Sequence, residues 1–397
     1  MVKGIIGAVI GDIVGSSRES KPIKRQGFKL FTADSSITDD TVLTVAVAEW
    51  MLDRKNIRVD QSLRKWANLY PNAGYGSSFK RFLNSEDGIS LNSTHNGAVM
   101  RVSPVGYLAT SIEECMQLAK ESALPSHNSK DAIEAAQTTA VAIFMARNGA
   151  TKEEICEYIE SHFKYNLHVP YEKLRAELHN ARANRDPETR HINHERVVGA
   201  STTIQDALVA FLYGNSYEDV IRKAIFLGGD ADTEAAIAGG IAAAYYGIPE
   251  DIIQQALIYI PSDMLAIINK LDGTNWTPSK LTPPKSSRWS HNDIIVYASD
   301  EQDTMGEKAY YLTHPSRYRR HHNEGYPIII FGPCQTSLEE QVWILRRKCE
   351  DSKDTRWHLH DIGIESGKIS VEQFRDLFGW ALELDNVLVT PTLLNQQ

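Results

Sequence analysis

The stretch Asp39–Asp53, DDTVLTVAVAEWMLD, decides the fold. Its apolar residues recur at helical spacing, and Thr38 just before it carries the hydroxyl that a helix N-cap uses. The pattern repeats outward along the chain. Lys130–Asn148 and Thr151–Phe163 predict two more helices, separated by Gly149. Thr203–Tyr213, Ser216–Leu227 and Thr233–Tyr246 predict another three, punctuated by Gly214, Gly228-Gly229 and Gly247. Strand-like alternation is nearly absent before residue 275, so this part reads as an all-α bundle of many short and medium helices.

The first residues, MVKGIIGAVIGDIVG, place an apolar run after Lys3 as a signal peptide would. Asp12 interrupts that run, no small-residue cleavage site follows it, and it is too short to span a bilayer. Gly4, Gly7, Gly11 and Gly15 suit a tightly packed helix in the core; their spacing signals packing rather than a phosphate loop.

The character of the chain changes at 271–290, LDGTNWTPSKLTPPKSSRWS, which has the composition of a linker. Beyond it, Ile294–Ala298 (IIVYA) and Ile328–Phe331 (IIIF) are short β-type runs. Ser337-x-x-Glu340 and Ser370-x-x-Gln373 have the form of capping boxes, each opening a helix. The expected organisation is a helical domain over 1–275, a linker over 276–290 and a small α/β or α+β domain over 291–397.

Bulk composition excludes several function classes. A net charge of −9 argues against a general nucleic-acid or membrane-surface binder, because both need a basic face. It leaves room for a nucleotide-sized anion held by a metal or by backbone amides. With 42% hydrophobic and 23% charged residues, the chain has the make-up of a soluble globular protein. Cys115, Cys156, Cys334 and Cys349 are far apart and form no C-x-x-C pair, so they read as reduced thiols of a cytoplasmic protein.

Two segments concentrate carboxylates: Thr38-Asp39-Asp40-Thr41, preceded by Asp34, and Gly228-Gly229-Asp230-Ala231-Asp232-Thr233. Each sets two acids and a hydroxyl at the head of an apolar helix. Hard cations such as Mg²⁺ or Mn²⁺ choose such oxygen ligands, and four converging carboxylates suffice for two ions. For either segment taken alone, helix capping and the helix dipole are the preferred explanation of Asp and Thr at these positions. Capping needs one acid per helix, however, and each segment has two.

Five stretches together resemble the ADP-ribosylglycohydrolase family. They are Gly7–Asp12 (GAVIGD), TDDT at 38–41, NGAVMRVSPVG at 96–106, SHNS at 126–129 and GGDADTEAAIAG at 228–239. The resemblance implies an all-helical fold with a paired site for two Mg²⁺ (or Mn²⁺) ions. It also implies hydrolysis of the bond at the distal ribose anomeric carbon, freeing ADP-ribose from a modified protein side chain or another acceptor. Carried over position by position, Thr38, Asp39, Asp40, Asp230, Asp232 and Thr233 would be metal ligands. One carboxylate among Asp39, Asp40, Asp230 and Glu19 would position or deprotonate the attacking water. Glu19 lies in Gly15–Glu19, which resembles a loop closing over the site; a solvated loop acid is the other reading. Asn96, Gly97 and Arg101 match the family's Gly-Asn-Gly-x-x-Met-Arg segment, and His127 its cleft-lining Ser-His pair.

The chain departs from the family pattern in three places. His95 stands where the first glycine would be, adding bulk or a polar contact to the pocket. The 191–203 segment, HINHERVVGASTT, replaces a Gly-Ser loop near the acceptor. Glu234 adds charge next to Asp232-Thr233, either behind the metal ligands or as an ordinary first-turn acid, the reading preferred here. In the C-terminal part, Arg317–His322 (RYRRHH) is a basic cluster that could meet nucleic acid or a phosphorylated surface, with a solvated loop the preferred reading in an acidic chain, and His358-x-His360 lacks a cysteine that would make it a zinc signature. Two other functions compete with hydrolysis: a non-catalytic protein that binds ADP-ribose or neutralises a toxin, and a phosphoesterase using the same ions.

Overall fold

The protein is described from a computed structural model. It describes residues 2–277, apart from 20–22, 24, 33–34, 86–89, 185 and 187–188; beyond them it describes only 297–302, 308–311, 357–359 and 387–389. The chain divides into two compact units, Met1–Pro278 and Ser279–Gln397.

The first unit is helical. Its helices are α1 (Ile6–Ser16), α2 (Asp39–Leu52), α3 (Val59–Leu69), α4 (Ser77–Leu83), α5 (Ser103–Leu108), α6 (Ile112–Ala123), α7 (Lys130–Arg147) and α8 (Lys152–Phe163). They continue as α9 (Tyr171–Ala183), α10 (Arg190–Val198), α11 (Ala200–Tyr213), α12 (Tyr217–Leu227), α13 (Ala231–Tyr246), α14 (Glu250–Ala256) and α15 (Ser262–Asp272). Caps follow the local sequence. Thr38 accepts from the Asp40 amide, Ser129 from Ala132, and Thr151 with Glu154 closes a full capping box.

Helix α13 is apolar all round and buried along nearly its whole length, so it forms the axis of the bundle. It packs on α1, α7, α11 and α12. The contact with α1 is backbone to backbone. A Cβ on Gly11 would lie 2.0 Å from the Ala235 carbonyl oxygen, and one on Gly15 would lie 2.4 Å from that of Ala231. The glycine spacing in α1 therefore brings Asp12 and Asp232 together. The N-terminus of α1 is held by the last helix: Asp272 of α15 accepts from the Ile5 amide at 2.8 Å and the Ile6 amide at 3.2 Å.

In the second unit, β1 (Tyr297–Gln302) pairs antiparallel with β2 (Lys308–Tyr311), and β3 (Trp357–Leu359) pairs parallel with β4 (Val387–Val389). The IIIF run, the two capping boxes, Arg317–His322 and His360 lie outside the described residues, as does Asp34.

Two sequence expectations need correction. The 191–203 segment is not a loop: it forms all of α10 but its first residue and then the start of α11, broken at Gly199. Glu234 does sit in the first turn of α13, but no ordinary surface acid stands there, because it is fully buried.

Candidate metal centre and cleft

The site grows from the heads of α2 and α13, which the packing of α1 and α2 against α13 draws together. Asp12, fully buried on α1, organises the first segment. Its carboxylate accepts from the Thr38 amide at 2.9 Å, the Thr38 hydroxyl at 2.8 Å, the Thr41 amide at 3.1 Å and the Thr41 hydroxyl. Its oxygens lie within 4.8 Å of those of Asp40 and Asp232. Four donors already saturate most of its lone pairs, so Asp12 holds the ligand segment in place rather than ligating. Sequence reading assigned Asp12 no role, although a lone acid in an otherwise apolar helix was the available signal.

Asp40 receives the Thr233 hydroxyl at 3.2 Å, which joins the two segments directly, and its Oδ1 is buried with no hydrogen-bond partner. Asp230 occupies the N-cap position of α13 yet makes no capping bond; it accepts instead from Asn96 Nδ2 at 2.8 Å. The capping of α2 falls to Thr38. Asp40 and Asp230 are thus not spent on capping, whereas Asp232 Oδ1 accepts from the Thr233 amide at 3.0 Å, so capping alone does not account for the paired acids. A second group, Glu19, Asp230 and Asp232, also has carboxylate oxygens within 4.8 Å of one another, and it shares Asp232 with the first.

Electrostatics give the same picture. Burial pushes Asp12 up to about 6 and Asp39 to about 7, the latter helped by Asp12 and Asp230. Asp40 and Asp232 lie well above the usual carboxylate range, through burial first and their acidic neighbours second. Glu19, at the exposed lip, is raised by partial burial and by Asp230. Hard oxygen donors, one of them orphaned, crowded with like charge: this donor set fits divalent cations. The acidic clusters could hold a metal.

The carboxylates line a cleft of about 350 Å³. Glu19, Thr38, Asp39, Asp40, Asp230, Asp232 and Thr233 give it an acidic lining; His95, Asn96, Gly97 and His127 form a further stretch of its wall. Arg101 does not reach the cleft. It is fully buried behind the wall, donating from Nη2 to the Ser122 carbonyl at 2.8 Å and to Ser126 Oγ at 2.9 Å. Because Ser126 Oγ accepts from Arg101, its own proton is free for His127 Nδ1 at 2.7 Å. That leaves the His127 proton on Nε2, and burial beside Arg101 holds the ring neutral, its pKa well below the ordinary histidine value.

The ring edge of His127 faces Gly97, where a Cβ would lie 2.9 Å from both Cε1 and Nε2. Gly97→Ala is therefore expected to push the imidazole off its Ser126 bond. The measured result should be about a tenfold rise in the Kd for ADP-ribose by calorimetry, about 1.4 kcal/mol, with the melting temperature nearly unchanged. Unchanged affinity would remove His127 from the ligand wall.

The α10–α11 junction covers the other end of the cleft. His95 pairs with Gly199 in an isolated antiparallel bridge, and the Ala200 amide donates to the Thr94 carbonyl at 2.9 Å. The His95 ring meets His194 of α10 edge-on at 5.2 Å, with Glu195 3.8 Å from Nε2. His194 lines the cleft and was not singled out in the sequence. In the first turn of α13, Glu234 packs under Gly229 with neither carboxylate oxygen hydrogen-bonded, and burial raises it well above the ordinary range. Nearby, Arg196 of α10 grips Asp206 of α11 at 2.6 and 3.1 Å.

Comparison with known proteins places these features in company. The family model described as ADP-ribosylglycohydrolase matches residues 1–275. A Homo sapiens protein named ADP-ribosylhydrolase ARH3 is 26% identical over 58% of this chain and 77% of its own length. A Pseudomonas putida protein named ADP-ribosylarginine hydrolase Tri1 is 24% identical over 62% of this chain and 70% of its own. An uncharacterized protein of Archaeoglobus fulgidus is 30% identical over 54% of this chain and 73% of its own. Among the described residues, no helix is long and apolar enough to cross a membrane.

Proposed function

Since the chain belongs to the ADP-ribosylglycohydrolase family, we propose that its cleft hydrolyses the glycosidic bond at the distal ribose of an ADP-ribosylated acceptor. Water adds across that bond, so the products are ADP-ribose and the unmodified acceptor side chain. The observation that carries this reading is the convergence of Asp40, Asp230 and Asp232, from segments some 190 residues apart, on a nucleotide-sized cleft.

Thr38, Asp39, Asp40, Asp230, Asp232 and Thr233 would hold two Mg²⁺ or Mn²⁺ ions. When bound, such ions neutralise the carboxylates and supply Lewis acidity toward the ribose hydroxyls and water. The rest of the work falls to the chain. Asn96 fixes the Asp230 carboxylate, Asp12 fixes Thr38, and Glu19 stands at the open lip, where it can take the proton of a water entering from solvent. The neutral His127 Nε2–H offers a donor to a ligand oxygen without placing a cation beside the acidic lining. His95 and His194 would meet the acceptor end, the region in which this chain departs from its family.

The test is release of free ADP-ribose from arginine-, serine- and nucleobase-linked substrates by the full chain. Release should occur with Mg²⁺ from at least one of the three and stop in chelator. Tight ADP-ribose binding with no release from any substrate would replace hydrolysis by the non-catalytic reading. Release that persists in chelator would remove the metal centre from the mechanism.

A further inference from the structure

Between the two acidic segments in sequence, helix α8 carries a different set of donors. Cys156 and Glu160 are four residues apart and share one helical face. The chain leaves α8, and His168 comes back beside them. Cys156 Sγ, a Glu160 carboxylate oxygen and a His168 ring nitrogen all lie within 4.8 Å of one another. The imidazole Nε2 is 3.2 Å from Glu160 Oε2.

The return of the loop is fixed by hydrogen bonds. Glu160 Oε1 accepts from the Leu167 amide at 2.8 Å, Asn166 Oδ1 from the His168 amide at 3.2 Å, and the Asn166 carbonyl from Gln205 of α11 at 3.1 Å. Cys156 is buried at the floor and His168 is exposed at the rim. A hollow of about 450 Å³ opens beside them, with Glu153 and Glu157 also on its wall. Lys152 borders the same hollow, its ammonium bonded to the Leu212 carbonyl at 2.9 Å and the Gly214 carbonyl, so three carboxylates stand against one ammonium already engaged. The local field therefore favours a cation.

From these observations we propose that Cys156, Glu160 and His168 form a second metal site, selective for Zn²⁺, with a fourth position open to water. A surface imidazole–carboxylate pair would account for Glu160 and His168 but not for a thiol within reach of both. Thiolate, imidazole and carboxylate are the ligand types zinc accepts in tetrahedral geometry. With zinc–sulfur and zinc–nitrogen bonds of about 2.3 and 2.0 Å, tetrahedral ligand atoms stand roughly 3.3–3.6 Å apart. The ion would draw these three inward by no more than about 1.5 Å. The two sites divide metals by softness: the all-oxygen cleft suits Mg²⁺ or Mn²⁺, and the sulfur and nitrogen donors on α8 suit Zn²⁺. On binding, the Cys156 thiol proton leaves to solvent and a zinc–sulfur bond forms, with no change of oxidation state.

Cobalt(II) is the probe. The full chain, with the cleft saturated in Mg²⁺, is titrated with Co²⁺ and then with Zn²⁺. One equivalent of Co²⁺ should produce a thiolate-to-metal charge-transfer band that Zn²⁺ abolishes. Cys156→Ser should remove the band. Glu160→Gln, which keeps an oxygen for the Leu167 amide, and His168→Ala, at the exposed rim, should each weaken Co²⁺ binding by about a hundredfold. Cys115→Ala and the double change Cys334→Ser, Cys349→Ser should leave the band intact. Absence of the band overturns the site, as does its survival in Cys156→Ser or an unchanged affinity in both His168→Ala and Glu160→Gln. Because the readout is spectroscopic, its failure says nothing about ADP-ribose release, and the reverse holds too.

Discussion

Asp40→Asn is expected to raise the melting temperature of the metal-free protein while lowering ADP-ribose release by a factor on the order of 10³. Both effects come from one cause. Asp40 is buried among Asp12, Asp39, Asp230 and Asp232, with its Oδ1 unpartnered. A neutral amide of the same shape relieves that crowding, and it also removes a negative ligand. The pH dependence has a definite sign. Asp12 and Asp39 hold protons more tightly folded than unfolded, up to about 6 and about 7. The stability they contribute is complete below the ordinary carboxylate value and disappears as pH rises through those folded values. The metal-free protein should therefore melt at lower temperature near pH 8 than near pH 5, and saturating Mg²⁺ should flatten or reverse that slope. Calorimetry with and without chelator measures both. A variant that is less stable yet still fully active would contradict the assignment of Asp40 on both counts.

The second large effect concerns packing. Gly11→Ala is expected to cost about 3 kcal/mol or more, because the new methyl would meet the Ala235 carbonyl, its carbon and the Ala236 nitrogen. These are backbone atoms of a buried helix and cannot swing aside. Separating α1 from α13 also separates Asp12 from Asp232, so metal affinity should fall with stability. Gly240→Ala makes the control within α13 itself: its methyl would find only side chains at 3.4 Å or beyond. There the gain in helix propensity, about 1 kcal/mol, should dominate, and the variant should be neutral or more stable. Equal loss in the two variants, read from chemical denaturation, would mean that close approach of α1 to α13 is not what the glycines provide.

Much of this was legible before any coordinates. The helices expected at 39, 130, 151, 216 and 233 begin within two residues of α2, α7, α8, α12 and α13, because each is long, apolar at helical spacing and bounded by a cap or a glycine. Helices such as α9 and α10 were not foreseen. They are polar, α10 buries no residue, and their existence is set by what they cover rather than by periodicity. At the site, the paired acids were visible and their meeting was not, since the contact between Asp40 and Thr233 spans 193 positions. Arg101 was expected at the ligand and is fully buried behind the cleft wall, bonded to Ser126, which in turn bonds His127. Sequence distinguishes that from direct contact only if one knows which way the chain turns after Gly97.

The grip of Asp272 on the amides of Ile5 and Ile6 has a consequence for how the molecule is made. Those partners are 267 residues apart. At roughly 5–20 residues per second, synthesis of the intervening chain takes roughly 15–50 s. For most of that interval α1, apolar apart from Asp12, has neither α13 to lie against nor Asp272 to hold its first turn. A core helix is made early and seated late, so the nascent chain must keep this apolar segment sheltered until the helices that pack on it have emerged.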